Sequence, residues 1–285
     1  MIKWRVLIFI ALLLFIEASS ENDLGNVDIV DVKPAETAPE YQEAVKTTKQ
    51  TDISFYHGFV ASFSVIVVSE LGDKTWFIAV ILAMRHSRLA IFSGAMGALG
   101  LMTVLSACLG WVTQVIPKVV TYYISTALFA IFGLKMLHEG WHMSPTEGQE
   151  EFDEAQAEVT KRETEMDSGK YSALESGRAG EQPQSSMFLA LSFTTRIVIE
   201  AFTLTFLAEW GDRSQLTTII LGAREDITGV IIGGVLGHAL CTGIAVIGGK
   251  LVAQRISVRS VTLVGGVVFI MFALSALFFT KPETE

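Results

Sequence analysis

Six long apolar stretches follow one another along the chain, and none shows the regular polar positions of a water-facing helix or strand. The first three cover 53–84, 89–115 and 119–137, and the other three cover 197–223, 227–253 and 260–279. The uncharged run 89–115 is longer than the roughly 20 residues that a helix needs to cross a bilayer. We therefore predict an all-α polytopic membrane protein with six transmembrane helices.

The two ends of the chain lie outside this pattern. Lys3 and Arg5 precede an apolar run over 6–16, and the small residues at 18–20 suit a signal peptidase. Residues 1–20 are therefore predicted to be a cleaved secretory signal peptide, with a retained short helix as the alternative. The polar, acidic composition of 21–52 predicts a disordered lumenal tail, and 281–285 form a short C-terminal tail.

A polar connector over 141–186 separates the two groups of spans. It divides the membrane part into 53–140 and 187–280, and its many acids favour a solvated linker outside the bilayer. Phe152, Ala155 and Val159 fall at helical spacing within it, so a short amphipathic helix is the alternative.

The two groups of spans are copies of one another. A shift of 139 residues, without a gap, aligns glycines and charged residues that chance matching of apolar sequence does not reproduce. The aligned pairs include Glu70 with Glu209, Gly72 with Gly211, Asp73 with Asp212, Lys74 with Arg213, Thr75 with Ser214, Arg85 with Arg224 and Gly94 with Gly233. The sequence therefore predicts an internal repeat.

Each copy has three spans, so the second copy must start on the opposite side of the membrane. This predicts an inverted repeat, an architecture that transporters use to place a binding site near the bilayer midplane. Positive residues of the short loops favour the connector side as cytosolic. Arg85, Arg88, Lys250, Arg255 and Arg259 fall on that side, and Lys118 and Arg224 on the other.

Charge and cysteine content argue against several classes of function. The formal net charge is −9, but the acids concentrate in the N-terminal tail and the connector, and nucleic-acid binding is not expected. The two cysteines, Cys108 and Cys241, lie in apolar spans, and they offer neither a disulfide framework nor a zinc site. No permanently bound cofactor and no enzymatic activity are predicted.

Charged residues near the centres of two spans carry the candidate chemistry. Glu70, Asp73 and Lys74 occupy "ELGDK", and Glu209, Asp212 and Arg213 occupy "EWGDR". A charge at a helix centre costs about 2.5 to 3.5 kcal/mol on insertion scales, so these groups must face inward. On a continuous helix each trio shares one face. The predicted two-fold relation then brings all four carboxylates together.

The residues beside these acids supply further oxygen ligands. Thr75 and Ser214 carry hydroxyls, and Gly72 and Gly211 weaken the helices and can free backbone carbonyls. Oxygen ligands suit hard divalent cations, and both Mn²⁺ and Ca²⁺ fit. When the cation leaves, crowded carboxylates take up protons instead. The hypothesis is a cation/proton exchanger that binds at Glu70, Asp73, Glu209 and Asp212.

Other interpretations stay open. The Glu–Lys and Glu–Arg spacing also suits structural ion pairs that hold helices in register. His238 lies in an apolar span, where a packing role is favoured over proton transfer because its repeat mate is Leu99. A passive divalent-cation channel shares the acidic site. An intramembrane aspartyl protease needs two facing Asp residues, but neither the glutamates nor the cations.

The doubled signature E-x-G-D-[KR]-[ST], each copy opening a three-span repeat around an acidic connector, resembles the transmembrane protein 165 family of Golgi cation/proton exchangers. The resemblance runs from about Phe55 to Phe279, and both copies match it. It implies that the four acids bind Mn²⁺ or Ca²⁺, and that the protein loads these ions into the Golgi lumen in exchange for protons. It also implies support of glycosylation, with late endosomes and lysosomes as a further location.

Overall fold

The structure is a computed structural model, and it describes residues 39–144, 146–175, 186–253 and 257–279. These residues form α-helices and one short 3₁₀ turn, and no strand occurs among them. The helices are α1 (Pro39–Glu70), α2 (Lys74–Arg85), α3 (Arg88–Val112), α4 (Lys118–His142), α5 (Glu147–Glu175), α6 (Ser186–Glu209), α7 (Arg213–Arg224), α8 (Ile227–Ala253) and α9 (Val258–Phe279).

Two of the predicted spans are broken in the middle. α1 ends at Glu70 and α2 begins at Lys74, and in the same way α6 ends at Glu209 and α7 begins at Arg213. A glycine in the left-handed region turns the chain at each break, with φ 85° at Gly72 and 86° at Gly211. The expectation that each acidic trio shares one continuous helix face is therefore wrong, because glycine lets the backbone leave the helix between the acids.

The two halves have corresponding helix bounds. α2 and α7 both have 12 residues and are preceded by Asp73 and Asp212, which have nearly the same backbone angles. The close crossings correspond as well. A Cβ on Gly94 would collide with the Val198 carbonyl oxygen, and one on Gly233 with that of Phe59. Gly94 and Gly233 are repeat mates, and so are Phe59 and Val198, so the same crossing occurs twice with the halves exchanged.

The helices pack in pairs that join the two halves. α1 packs on α8, α3 packs on α6, and α4 packs on α9. The short helix α2 lies inside this arrangement, where every residue from Thr75 to Ala83 is buried. Trp76 anchors its start, because the indole N–H donates to the Cys241 carbonyl of α8 at 3.0 Å. A helix that is buried on all sides explains why the sequence of α2 is apolar all round.

Five helical segments among the described residues are long and apolar enough to cross a membrane. They are Ile53–Glu70, Arg88–Val115, Val119–His142, Ile227–Gly249 and Val258–Leu277. The predicted sixth span, 197–223, is not among them, and the turn at 210–212 divides it between α6 and α7. The polytopic helical architecture is confirmed, and the sixth span stays a prediction.

The acidic connector is not a solvated linker. Its residues 147–175 form the helix α5, in which Ala155 and Val159 are completely buried and Phe152 packs edge-on against Phe77 of α2. The amphipathic-helix alternative is the correct one. The spacing of these three apolar residues was the signal for it, because residues three and four apart share one helix face.

The predictions for the chain ends fall largely outside the described residues, which include neither the signal peptide over 1–20 nor the tail over 281–285. One boundary differs from the prediction. α1 begins at Pro39, so the last part of the segment 21–52, predicted to be disordered, is helical.

Candidate cation-binding site

Three of the four predicted acids meet inside the bundle. One carboxylate oxygen from each of Glu70, Glu209 and Asp212 lies within 4.8 Å of the others. Glu70 and Glu209 are 3% and 1% exposed, so these carboxylates are almost completely removed from solvent. Asp73 is not in this group of three. It lies at the start of α2, within electrostatic range of Asp212 and Arg213.

The two helix breaks position these acids in the same way. The Asp73 N–H donates to the Glu70 carbonyl at 3.2 Å, and the Asp212 N–H donates to the Glu209 carbonyl at 3.1 Å. Each break thus places a Glu at the end of one helix and an Asp at the start of the next. One difference separates the copies: the Asp212 carboxylate accepts from the Ser214 N–H at 3.2 Å, whereas Asp73 makes no such cap.

Hydroxyls connect each half of the protein to the acid of the other half. The Thr75 hydroxyl donates to the Glu209 carboxylate, and its repeat mate Ser214 lies close to Glu70. Both hydroxyl residues are buried. Thr75 and Ser214 therefore each lie beside a carboxylate of the opposite repeat, and their supporting roles stay a prediction.

Two small cavities adjoin the carboxylates, each of about 10 Å³. This is close to the roughly 10 to 15 Å³ that a single water molecule needs. One cavity is lined by Glu70, Thr75, Trp76, Ala79, Thr242 and others, and the second by Glu209, Ser214, Gln215, Thr218, Thr103 and others. These two sets are repeat mates, so the cavities occupy equivalent places in the two halves.

The cations of the two signatures do not pair with the neighbouring glutamates. Lys74 Nζ lies 2.8 Å from Glu158 of the connector helix α5, and Arg213 lies 3.5 Å from Glu139 of α4. The structural-ion-pair interpretation is therefore wrong for both signatures, since the helix break turns Lys74 and Arg213 away from Glu70 and Glu209. The charges of Lys74 and Arg213 are thus directed mainly to acids outside the group of three.

His238 of α8 also reaches the site, which the sequence interpretation as a packing residue missed. Its Nδ1 lies 3.9 Å from the nearer Glu70 oxygen, and the ring is 4% exposed. Neither that nitrogen nor Glu70 Oε1 has a hydrogen-bond partner. The sequence did contain a signal for this role: His238 is a polar residue in an apolar span with no nearby partner. Such a buried group needs a partner somewhere in the fold.

Buried carboxylates flanked by hydroxyls, inside a bundle with helices of membrane-spanning length, define an ion-binding membrane protein of the transporter class. The sequence model of the family described as "Divalent cation/proton antiporter GDT1" matches residues 58–144 and 197–284. The chain belongs to this family of divalent cation/proton antiporters. This confirms the resemblance to the transmembrane protein 165 family. Membership of a transporter family is also consistent with the prediction that the protein is not an enzyme.

Related proteins come from plants and a cyanobacterium. GDT1-like protein 3 of Arabidopsis thaliana is 40% identical over 230 residues, which cover 79% of this chain and 72% of the relative. A GDT1-like protein of Synechocystis is 41% identical over 216 residues, covering 76% and 94%. The chloroplastic PAM71-homolog of Arabidopsis thaliana is 38% identical over 227 residues, covering 78% and 59%. No solved structure matches this chain.

Proposed function

We propose that this protein exchanges Mn²⁺ or Ca²⁺ for protons at a single site formed by Glu70, Asp73, Glu209 and Asp212. The observation that carries the proposal is the meeting of three carboxylates from both repeats within 4.8 Å of one another. Carboxylates, hydroxyls and backbone carbonyls are the oxygen ligands that these hard cations prefer. Asp73 completes the site from the start of α2, next to the other three.

Proton coupling follows from the burial of the acids. Like charges a few ångströms apart repel strongly where the surroundings are apolar, so the cluster needs positive charge at all times. Lys74 and Arg213 supply little of it, because they pair with Glu158 and Glu139, although Arg213 also lies within electrostatic range of Asp73. A divalent cation neutralises the carboxylates in one state of the transport cycle, and protons neutralise them in the other.

The alternating access that such exchange needs is supported by the corresponding halves. The breaks at Gly72 and Gly211 and the exchanged crossings at Gly94 and Gly233 support an inverted repeat with six spans, an architecture that places a binding site near the bilayer midplane. Small movements of one half against the other then open the site to each side in turn. The connector side is cytosolic in this proposal, as the positive loop residues favour.

The proposed compartment is the Golgi membrane, where uptake of Mn²⁺ or Ca²⁺ into the lumen supports glycosylation. This rests on the family resemblance and on the secretory signal predicted at 1–20. A chloroplast membrane is the competing location, since one relative is named chloroplastic. A C-terminal fluorescent tag and organelle markers in the source cells decide between the two. Golgi co-localisation is expected, and a plastid signal would overturn this part of the proposal.

The proposed exchange is tested with the purified full-length protein in sealed proteoliposomes. Mn²⁺ and Ca²⁺ uptake are measured with and without an imposed proton gradient for the wild type, Glu70→Gln and Asp212→Asn. Thr203→Val serves as the control, because the Thr203 hydroxyl is exposed and bonds only within its own helix. We expect uptake driven by the gradient in the wild type and the control, and at least a roughly hundredfold loss in both site variants.

Other results have distinct meanings. Uptake that ignores the proton gradient contradicts exchange and indicates a passive channel. Uptake of neither ion contradicts the assignment of the substrate. Full activity in both site variants contradicts the assignment of the carboxylates, whatever ion is transported.

A further inference from the structure

Three pairs of repeat mates give the cavity beside Glu209 a polar side chain where the cavity beside Glu70 has an apolar or aromatic one. The cavity beside Glu70 has Trp76 and Ala79, where the cavity beside Glu209 has Gln215 and Thr218. The third pair is Leu99 and His238. Leu99 borders both cavities, whereas His238 borders only the one beside Glu209, so this cavity alone has an imidazole nitrogen among its lining residues.

The position of His238 suits a ligand better than a packing residue. Its Nδ1 and the Glu70 Oε1 atom are both buried, both lack a hydrogen-bond partner, and lie 3.9 Å apart. Leaving two such atoms buried and unpaired is unfavourable, because neither regains the hydrogen bonds that it makes to water in the unfolded chain. A species between them that accepts electron pairs from both atoms would satisfy the two groups at once.

A metal ion fits that description. Metal–ligand bonds to nitrogen and oxygen are about 2.0 to 2.6 Å long, so two ligands of one ion can lie up to slightly more than 4 Å apart. The separation of 3.9 Å is within this limit. Glu209 and Ser214 line the same cavity as His238, and Glu70 completes the set of nearby donors.

We propose that His238 is a nitrogen ligand of the transported cation and that it favours Mn²⁺ over Ca²⁺. The proposal rests on the function given above, and it corrects the prediction of an all-oxygen ligand set. Ca²⁺ sites in proteins are built from oxygen ligands, whereas imidazole is a ligand for first-row transition metals. One imidazole among carboxylates therefore adds affinity for Mn²⁺ and adds little for Ca²⁺. Leu99, the repeat mate of His238, has no ligand atom in its side chain, so the selectivity comes from the second repeat only.

Pulsed electron paramagnetic resonance of bound Mn²⁺ tests this ligand directly. The full-length protein in detergent is loaded with Mn²⁺ alone, and its spectrum is compared with that of protein labelled with ¹⁵N-histidine. We expect nitrogen coupling in the unlabelled protein that changes to the ¹⁵N pattern on labelling. This measurement needs only the wild-type sequence, so it does not depend on whether a variant folds.

Two variants extend the test to selectivity. His238→Leu, which introduces the residue of the other repeat, is expected to remove the nitrogen coupling and to lower the Mn²⁺-to-Ca²⁺ affinity ratio about tenfold or more. His238→Asn offers an oxygen ligand and is expected to retain Ca²⁺ binding with the same lowered ratio. His86→Gln is the control, because His86 lies at the end of α2 beside Glu163, and it should keep both the coupling and the ratio.

The outcomes separate this proposal from the proposed function. Mn²⁺ that binds and is transported without histidine nitrogen coupling overturns the ligand role of His238 and leaves the exchanger intact. A packing role predicts that His238→Leu weakens both ions equally, which also overturns it. Failure of the wild type to bind Mn²⁺ at all contradicts the function on which the proposal rests.

Discussion

The Thr75 hydroxyl donates a hydrogen bond to the carboxylate of Glu209, a residue 134 positions further along the chain. Thr75 belongs to the first repeat and Glu209 to the second, so this bond joins the two halves at the site itself. Ser214 and Glu70 form the corresponding contact in the other direction. A change in the relative position of the halves therefore changes the proposed cation ligands directly, which is what a transporter needs to couple binding to movement.

Removal of the Thr75 hydroxyl is expected to weaken cation binding. A hydrogen bond to a charged group contributes about 1.5 to 3 kcal/mol, so Thr75→Val should raise the KM for Mn²⁺ uptake about tenfold or more. Thr75→Ser keeps the hydroxyl and should stay within about twofold to threefold of the wild type. Initial uptake rates over a range of Mn²⁺ concentrations measure both. An unchanged KM for Thr75→Val would show that this bond does not position Glu209 for binding.

The left-handed backbone at the second break gives a clean test of the role of glycine. A Cβ placed on Gly211 or on Gly100 meets no atom within 4 Å, but Gly211 has φ 86° and Gly100 lies inside the helix α3. Gly211→Ala should therefore destabilise the protein by about 1 to 2 kcal/mol through the backbone alone, whereas Gly100→Ala should be neutral or stabilising.

Thermal unfolding in detergent, followed by intrinsic fluorescence, measures the two glycine variants side by side. The expected order of melting temperature is Gly100→Ala equal to or above the wild type, and Gly211→Ala below it. Equal melting temperatures for the two variants would mean that the helix break does not need a left-handed residue.

Because one face of the connector helix α5 is buried, a charge introduced on that face should disturb its docking, whereas a charge on the exposed face should not. Ala155 of α5 is completely buried, whereas Ala157, two residues further along, is exposed. Ala155→Asp should release α5 from α2, because an unpaired buried carboxylate is strongly unfavourable, and Ala157→Asp should not. Hydrogen–deuterium exchange over 147–164 measures the difference. Equal exchange in both variants would contradict the docking of α5.

Docking of the connector helix should also depend on pH through Glu151. Burial first, and then the charge of Glu154, raise the pKa of this carboxyl above its ordinary value of 4.5, although nearby Lys74 and Arg213 act in the opposite direction. Since the docked state has the higher pKa, protonation favours docking. Docking is expected to weaken as the pH rises from the ordinary value of 4.5 through the raised pKa of Glu151.

The pH effect is measured as deuterium exchange over α5, corrected for the intrinsic pH dependence of exchange. Glu151→Gln should reduce the pH dependence, because the neutral amide cannot ionise. Asp153→Asn is the matched control on the exposed face of the same helix, and it should keep the wild-type dependence. A steeper dependence in Glu151→Gln than in the wild type would reverse the predicted sign.

Several properties of this protein could be predicted from local sequence. Hydrophobic runs longer than a bilayer is thick identify helices in lipid, because unpaired backbone groups are too unfavourable there. Charged residues inside such runs identify the site, since Glu70 and Glu209 can only be tolerated facing the interior. The repeat was visible because a shift of 139 residues aligns the two halves with their polar and glycine positions in register.

Partners that are distant in sequence were decided only by the tertiary structure. Lys74 was expected beside Glu70 on one helix, but it pairs with Glu158 because the chain turns at Gly72. His238 was interpreted as packing because its repeat mate is Leu99, but packing of α8 against α1 places its ring beside Glu70. Periodicity and composition describe the surroundings that each residue needs, whereas the particular neighbour depends on how separate helices pack against one another.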